Sequence, residues 1–368
     1  MAAQKRLVVK VGTSTLTGGS RKLSQPVIVD LVRQVTQVRA RGWAVVLVSS
    51  GAMAAGREAL GYPELPRFIP KKQMLSAVGQ PRLMAMYEQY FAIYGQPAAQ
   101  VLLTRADLTD RRRYLNARST FEALLMQKIT PVVNENDTVA TDEIRFGDND
   151  NLSAQVASMI EADILVLLTD QEGLYTSDPR QDPAAELIHE VKGEIPGWMY
   201  EAAGGSVTGL GTGGMVTKLH AADIARRTGT TVFIARGNEP EVLSRIAAGE
   251  SIGTRFAPMV NKLEGRKRFL LAGERSEGVL SVDGGAEKAL LRGGSLLPVG
   301  VSGVSGDFER GDTVRVVGSE GKVLALGLSN YAARDLMCFR GRQSSEIEAI
   351  LGFTFGDEVI HRNHMILM

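Results

Sequence analysis

Residues 6–12, RLVVKVG, form a short run of apolar and β-branched residues that ends in glycine. Such a run predicts a buried strand. A helical pattern near 26–40 follows it, and then comes a second run of the same kind, WAVVLVS at 43–49. Short apolar strands that alternate with longer helices are typical of a parallel sheet with helices on both faces.

The same alternation continues to about residue 255 and predicts one α/β domain. Further strands are predicted at 98–104, 130–135, 162–170 and 230–236, and further helices near 51–60, 71–94, 110–128, from about 151, and near 216–228. After the polar segment 255–269 the chain changes to short strands separated by glycine and acidic turns, with one short helix at 286–293. This second pattern predicts a small β-barrel or sandwich.

The composition of the 368 residues excludes several classes of function. A net charge of +1 gives no bulk reason to bind nucleic acid or an anionic membrane, although EGRKRF at 264–269 is locally basic. The single cysteine, Cys338, excludes an intrachain disulfide and a cysteine-based zinc cluster, which suits a reducing compartment. The apolar stretches, such as ILVLL at 164–168, have the length of strands. We therefore expect a cytoplasmic protein with no membrane span.

Ligands of open α/β sheets bind beyond the carboxyl ends of the strands, so the residues at these ends are the first candidates for a site. Lys10 lies within the first apolar run, where an ammonium group is costly unless it reaches a partner. Ser50 and Gly51 follow the second strand and precede a helix, whose first N–H groups could bind an anion. An ordinary turn and a serine N-cap are the alternative interpretations of these two places.

Three further polar clusters follow strands: NENDTVA at 134–140, FGDNDNLSA at 146–154 and the pair Thr169–Asp170. The second cluster could simply cap the next helix, because Asp and Asn side chains accept hydrogen bonds from free N–H groups. A calcium loop starting at Asp148 is disfavoured, since its sixth and twelfth positions are Ser153 and Met159 instead of Gly and Glu.

The segment GLGTGGMVTKLHAAD at 209–223 satisfies the dinucleotide fingerprint literally, but no strand precedes it. It predicts instead a glycine-rich loop that enters a helix N-terminus, with Lys218 near the first turn, which suits a phosphate group. Two lysines at the ligand edge of one sheet suit phosphoryl transfer, in which the protein mainly positions groups and neutralises charge. Lysines used as point charges need a carboxylate to hold them, and Asp150 is the candidate.

Taken together, the motifs VVKVGTS, SSGAMAAGR, NENDTVA, FGDNDNLSA, LLTDQEGLYTSDPR and GLGTGGMVTKL resemble the amino acid kinase family. The tail from GVLSVDGG onward resembles a PUA domain. The resemblance implies an αβα sandwich around an open, mainly parallel sheet, followed by a β-barrel-like PUA domain. The domain boundaries expected from it are 1–258 for the kinase domain, 259–275 for a linker, 276–355 for the PUA domain and 356–368 for a C-terminal tail.

The resemblance also implies an activity: transfer of the γ-phosphoryl group of MgATP to the side-chain carboxylate of L-glutamate, at the start of proline synthesis. Carried over to this chain, the catalytic residues are Lys10, Lys218 and Asp150, and the glutamate-binding residues are Ser50, Asp137 and Asn149. The ATP-binding residues would be Lys10, Thr169, Asp170, Thr212, Gly213, Gly214, Met215, Val216, Thr217 and Lys218. Mg²⁺ is expected to arrive with the nucleotide phosphates, without protein metal ligands.

Other partners follow from the same resemblance: proline as a feedback inhibitor, a second copy of the chain in a homo-oligomer, and the glutamyl phosphate reductase of the next step. Two alternatives stay open. One is a kinase of the same fold with another acceptor, such as acetylglutamate, aspartate, carbamate or a nucleoside monophosphate. The other is an RNA-binding protein that acts through its PUA domain, against which stand the near-neutral charge and the lack of an aromatic stacking series.

Overall fold

The structure is a computed structural model that describes residues 4–62, 64, 69–140, 149–204, 214–261 and 275–368. The contacts between residues divide the chain into two compact units. Unit 1 comprises residues 1–108 and 120–262, and unit 2 comprises residues 109–119 and 263–368.

Unit 1 is built on a sheet that has eight strands among the described residues. The strands are β1 Arg6–Val11, β2 Ala44–Ser49, β3 Ala98–Leu103, β4 Thr130–Glu135, β5 Ile164–Thr169, β6 Glu190–Val191, β7 Thr231–Arg236 and β8 Thr254–Phe256. Their order is β3-β4-β2-β1-β5-β7-β8-β6, and all neighbours are parallel except β7 and β8. The predicted mainly parallel sheet is confirmed, with β1 at its centre.

Helices cover the sheet of unit 1. They are α1 Thr13–Thr17, α2 Gln25–Ala40, α3 Ala52–Ala59, α4 Ile69–Ile93, α5 Arg105–Thr109, α6 Arg111–Met126, α7 Asn149–Met159, α8 Gly197–Ala202, α9 Met215–Arg226 and α10 Val242–Ala247. Helix α2 packs on α10, whereas α7 packs on α9 and against β1. The short helices α1, α5, α8 and α10, of five or six residues each, were not predicted, because such lengths give no periodic signal.

Alternation along β1 separates the two faces of the sheet. Leu7, Val9 and Val11 join the apolar cluster that includes residues of α2 and α10. Successive side chains of a strand point to opposite faces, so Lys10 points to the other face, where α7 and α9 lie. This alternation gives the predicted αβα layering. It also directs the side chain of Lys10 toward the N-terminus of α7, where Asp150 lies.

Two glycines allow α3 and α4 to pack backbone to backbone. A Cβ atom on Gly56 would lie 1.9 Å from the carbonyl oxygen of Leu75, and one on Gly79 would lie 1.8 Å from that of Ala52. Only glycine permits so close an approach. The contact holds residues 75–79 of α4 against the start of α3. That start directly follows Ser50 and Gly51.

Unit 2 contains a five-stranded sheet among its described residues, in the order β10-β9-β11-β12-β13. The strands are β9 Arg275–Val282, β10 Val301–Ser305, β11 Thr313–Val317, β12 Val323–Leu328 and β13 Met365–Leu367, and the helices are α11 Gly284–Leu291, α12 Ala333–Phe339 and α13 Ile347–Leu351. The predicted short helix near 286–293 is therefore confirmed as α11. Its N-cap is Asp283, whose side chain accepts hydrogen bonds from two backbone N–H groups.

The segment 109–119, which includes the start of α6, packs within unit 2. Leu115 is buried in a cluster with Leu328 and Ile366. Arg310 stacks on Phe355, with 3.7 Å between its guanidinium carbon and the ring centroid, and it also donates a hydrogen bond to Asn116. Unit 2 is therefore not continuous in sequence. None of the helices in the described part of the chain is both long enough and apolar enough to cross a bilayer.

Candidate active site

Asp150 is the centre of a buried charge cluster formed by three elements of unit 1. Its Oδ1 lies 2.5 Å from Nζ of Lys10 on β1, and its Oδ2 lies 3.3 Å from Nζ of Lys218 on α9. The hydroxyl of Thr217 donates to the same Oδ2 over 2.7 Å. Lys10, Asp150 and Lys218 are only 5%, 2% and 8% exposed. The structure thus brings together the three residues predicted to be catalytic.

The surroundings of Asp150 stabilise its charged form. Burial by itself would raise the pKa of this carboxyl, but the charges of Lys10 and Lys218 and the hydrogen bonds from Lys10 and Thr217 lower it to about 2. Burial also lowers the pKa of the Lys218 ammonium, and the nearby charge of Lys10 acts in the same direction, while Asp150 opposes both. The cluster therefore carries its carboxylate ionised at neutral pH.

The two lysines and the one carboxylate of the cluster have a formal net charge of +1, and they lie in a region that water reaches poorly. A buried excess of positive charge is unfavourable until an anion binds. The cluster is therefore electrostatically complementary to an anionic group such as a transferring phosphoryl.

Helix α7 explains how Asn149 and Asp150 come to face this cluster. The described part of the helix begins at Asn149, whereas the predicted start lies near 151, so both residues are helical. Asn151 is also helical, so this part of the predicted polar cluster lies within α7. Asp148 lies outside the described residues.

A cavity of about 890 Å³ lies at the carboxyl ends of β2 and β4. Its lining includes Ser50, Asp137 and Asn149, the three residues predicted to bind glutamate, and also Asn134. Four cationic side chains, Arg21, Arg57, Lys71 and Lys72, line it as well. A cavity with several cations and one deeply placed carboxamide pair suits a small molecule that carries more than one carboxylate.

Asn149 is held firmly at the inner wall of this cavity. Its Nδ2 donates to Oγ of Ser50 and to Oδ1 of Asn134, each over 3.0 Å, and lies 3.3 Å from the carbonyl oxygen of Ser49. Its Oδ1 is buried and has no hydrogen-bond partner among the described residues. The amide therefore has one acceptor that none of the described residues uses.

Asp137 follows β4 and is partly buried in the same cavity. Burial raises the pKa of its carboxyl above the ordinary value, against the effects of the nearby Ser76 hydroxyl and the charge of Lys72. A carboxylate in a partly desolvated wall is a site for a cation, such as the ammonium group of an amino acid.

Part of the predicted ATP site follows β5, which lies on the other side of β1 from β2. Thr169 and Asp170, at the end of β5, line a second cavity of about 540 Å³ together with Arg236, Gly237 and Asn238. Since β1 lies between β2 and β5 in the sheet, Lys10 stands between the strand that leads to Ser50 and the strand that leads to Thr169.

The glycine-rich loop that was predicted to hold ATP is described only in part. Thr212 and Gly213 lie outside the described residues, whereas Gly214 is the N-cap of α9 and Met215, Val216 and Thr217 form its first turn. Val216 is buried, so it can offer a ligand only its backbone N–H. Lys218 is the fourth residue of the helix, close to the predicted position.

Sequence reasoning missed several polar residues of the site. Asn134 lies in the motif NENDTVA, and its position at the end of β4 could have identified it as a site residue. Gln80, which accepts a hydrogen bond from Asn134, and Tyr87, whose hydroxyl is 2.7 Å from Oγ of Ser49, lie inside α4 and gave no signal. Both helix positions are distant in sequence from every strand end, so only the tertiary structure brings them to the site.

Comparison with known proteins agrees with this geometry. Residues 5–236 match the amino acid kinase family, and residues 278–351 match the PUA domain. A UMP kinase from Bacillus anthracis is among the similar solved structures, with a TM-score of 0.47 and 15% identity over 70% of this chain and 97% of that one.

Among the relatives, three glutamate 5-kinases show how far the similarity extends. That of Shewanella amazonensis is 53% identical, with 99% of this chain and 96% of the relative covered. That of Klebsiella pneumoniae is 53% identical, with 100% of both covered, and that of Shewanella oneidensis is 52% identical, with 100% of this chain and 98% of the relative covered. The chain therefore belongs to the amino acid kinase family and, within it, to the glutamate 5-kinases.

Proposed function

We propose that this glutamate 5-kinase transfers the γ-phosphoryl group of ATP to the side-chain carboxylate of L-glutamate through the cluster of Lys10, Asp150 and Lys218. The products are L-glutamyl 5-phosphate and ADP, and the reaction is the first step of proline synthesis. The observation that supports these roles best is the buried carboxylate of Asp150 between two ammonium groups, next to Asn149 in the wall of the first cavity.

In this mechanism an oxygen of the glutamate side chain attacks the γ-phosphorus while the bond from that phosphorus to the oxygen of ADP breaks. A carboxylate is already a nucleophile at neutral pH, so the site needs no general base. Lys10 and Lys218 neutralise the negative charge on the phosphoryl oxygens, which is the main task of a protein in phosphoryl transfer. Asp150 positions both ammonium groups.

For the nucleotide, we assign Thr169, Asp170 and the segment from Thr212 to Lys218. The free N–H groups at the start of α9 suit phosphate oxygens. Mg²⁺ fits a site of this kind when it comes with the ATP phosphates and water. The described residues contain no group of three His, Cys, Asp or Glu that could hold a metal, and both oxygens of Asp150 already face cations.

For glutamate, we assign the cavity of Ser50, Asp137 and Asn149. The carboxylate of Asp137 and the free Oδ1 of Asn149 are acceptors for the ammonium group, and the four cations of the lining are partners for the α-carboxylate. Proline has the same ammonium and carboxylate pair, and we assign it to the same cavity as a feedback inhibitor.

The acceptor is tested by trapping the acyl phosphate with hydroxylamine in the presence of ATP and one acid at a time. Glutamate is expected to give hydroxamate, whereas N-acetylglutamate and aspartate give little. Proline should inhibit, and excess glutamate should overcome the inhibition. Equal product from N-acetylglutamate, or inhibition that glutamate does not relieve, would contradict the assignment of the cavity.

Asn149→Ala tests the assignment of this amide to glutamate. The variant loses the free acceptor and the hydrogen bonds to Ser50 and Asn134, so the KM for glutamate should rise by about tenfold or more, while the KM for ATP stays within about twofold. Initial rates with each substrate varied in turn give both constants. A parallel rise in both KM values would mean that the loop has collapsed instead.

The predicted boundary near residue 258 leads to a test of unit 2. Removal of the chain after Asn261 should leave kinase activity, since every assigned residue precedes 219. The same removal takes away Leu328 and Ile366, the packing partners of Leu115. We therefore expect the truncated chain to be folded and active but prone to associate through the exposed Leu115, and the truncated chain with Leu115→Gln to be active and monodisperse. The full-length Leu115→Gln variant is the control, and a folded but inactive truncation would refute the boundary.

We also propose a cytoplasmic location, in line with the single, exposed Cys338, and a homo-oligomeric state. Glutamyl phosphate is a mixed anhydride that water hydrolyses, which favours direct handover to the reductase that consumes it. RNA binding by the PUA domain stays an alternative role for unit 2, and filter binding with structured RNA at two salt concentrations tests it.

A further inference from the structure

Gln80 lies on α4, outside the motifs that identify the kinase, and its side chain is buried next to the glutamate cavity. Its Oε1 accepts a hydrogen bond of 2.7 Å from Nδ2 of Asn134. Asn134 in turn accepts from Nδ2 of Asn149. A chain of three buried amides therefore connects α4 to the inner wall of the cavity.

Two groups set the direction of this chain: the backbone N–H of Glu135 and the side-chain oxygen of Gln80. The N–H of Glu135 donates to Oδ1 of Asn134 over 2.9 Å, and a backbone N–H can only donate. Oδ1 of Asn134 must therefore face Glu135 and Asn149, which leaves its Nδ2 toward Gln80. Gln80 presents its oxygen there, because two NH₂ groups facing each other would leave Nδ2 of Asn134 without an acceptor, and Nε2 of Gln80 has no hydrogen-bond partner among the described residues.

The same logic determines which atom Asn149 offers to a ligand. Both hydrogens of its Nδ2 are directed to acceptors on Ser49, Ser50 and Asn134, so the atom left free is Oδ1. If Asn134 turned its amide over, its Nδ2 would face Asn149 and favour the opposite orientation, with a donor toward the ligand. The amide orientation at the end of the chain is therefore a specificity element.

We propose that Gln80 is a positioning residue for substrate recognition, which fixes the amides of Asn134 and Asn149 so that the cavity presents an acceptor to the ammonium group of glutamate. The proposal rests on the assignment of Asn149 to glutamate made above. Gln80 acts through Asn134 and contacts neither the substrate nor the reacting atoms. Its effect should therefore appear in the recognition of the ammonium group and not in the chemical step.

The test compares Gln80→Met, which keeps the shape but removes the acceptor, with Gln80→Glu, which keeps an acceptor in either protonation state. The probes are glutamate as substrate and glutarate, which lacks the ammonium group, as competitive inhibitor. For Gln80→Met we expect the KM for glutamate to rise by about tenfold. The kcat, the KM for ATP and the inhibition constant of glutarate should stay within about twofold of the wild-type values. Gln80→Glu should stay close to wild type.

Thr230→Val is the matched control for the loss of a buried hydrogen bond, because Thr230 donates to the carbonyl of Ala162 near the amino ends of β5 and β7. It should leave the preference for glutamate over glutarate unchanged. If glutamate and glutarate weaken equally in Gln80→Met, or if Gln80→Glu loses as much as Gln80→Met, the proposal is wrong.

If Gln80→Met does not fold, the same question can be tested in a protein that carries Asn134→Asp. In Asn134→Asp the carboxylate accepts from Glu135 and Asn149 in any orientation, so Gln80 is no longer needed to direct it. Asn134→Asp and the double variant with Gln80→Met should therefore have the same KM for glutamate. A tenfold difference between them would refute the proposal. A normal KM in Asn149→Ala would instead refute the assignment of Asn149 itself.

Discussion

Replacement of Lys10 or Lys218 by alanine is expected to lower kcat by about a hundredfold or more, while the KM for glutamate changes by no more than about threefold. Neither ammonium group lies among the residues assigned to glutamate, whereas both face the buried carboxylate of Asp150. Their charge therefore acts mainly on the transferring phosphoryl, whose negative charge must be neutralised in the transition state.

The measurement is a steady-state assay of ADP release with each substrate varied in turn, accompanied by circular dichroism to check the fold. Lys192→Ala is the matched control, since Lys192 is an exposed lysine that pairs with Glu190 on the surface. It should behave as wild type. Near-normal kcat in both Lys10→Ala and Lys218→Ala would show that the two lysines do not stabilise the transition state.

Asp150→Asn should have the next largest effect, because it acts on catalysis and on stability together. The substitution keeps the shape of the side chain but removes the one negative charge of the cluster and turns an NH₂ group toward an ammonium. Loss of one member of a buried ion pair typically costs about 3–5 kcal/mol. We expect kcat to fall by at least about a hundredfold and the thermal transition of unit 1 to occur several degrees lower.

The pH dependence gives this prediction a second readout. The pKa of Asp150 is lowered to about 2 in the folded chain, so its ionised form contributes stability above the ordinary value of 3.8. That contribution is lost as the pH falls from about 4 toward 2. The stability difference between wild type and Asp150→Asn should therefore be full at neutral pH and shrink in acid.

Asp178→Asn provides the control, since Asp178 pairs with Arg180 in an exposed turn. This variant should match wild type in both kcat and thermal stability. An Asp150→Asn enzyme with wild-type kcat would mean that the lysines are positioned without it, and the cluster would then lose its central role.

The sequence by itself determined the α/β class, the parallel sheet and most element positions of unit 1. The reason is that its strands are short apolar runs and its longer helices have clear periodicity, so local signals and the fold agree. It also identified Lys10, because an ammonium inside the run RLVVKV needs a partner wherever the strand lies.

The sequence could not place the start of α7 or the extent of unit 2. Asn149 and Asp150 are polar residues with little preference for a helix interior, and their place in the first turn depends on the contacts that they make with Ser50, Lys10 and Lys218. Likewise, nothing local marks residues 109–119 as part of unit 2, because their assignment follows from the packing of Leu115 on β12 and β13.

The amide chain through Gln80 was decided by the tertiary structure alone. Composition and spacing show which polar residues follow strands, but hydrogen-bond direction depends on which buried groups meet, and those groups come from α4, β4 and α7. The sequence therefore determined what the ligand edge of the sheet contains. The fold decided which atoms of it face the substrate, because each buried donor and acceptor must find a partner at a fixed position.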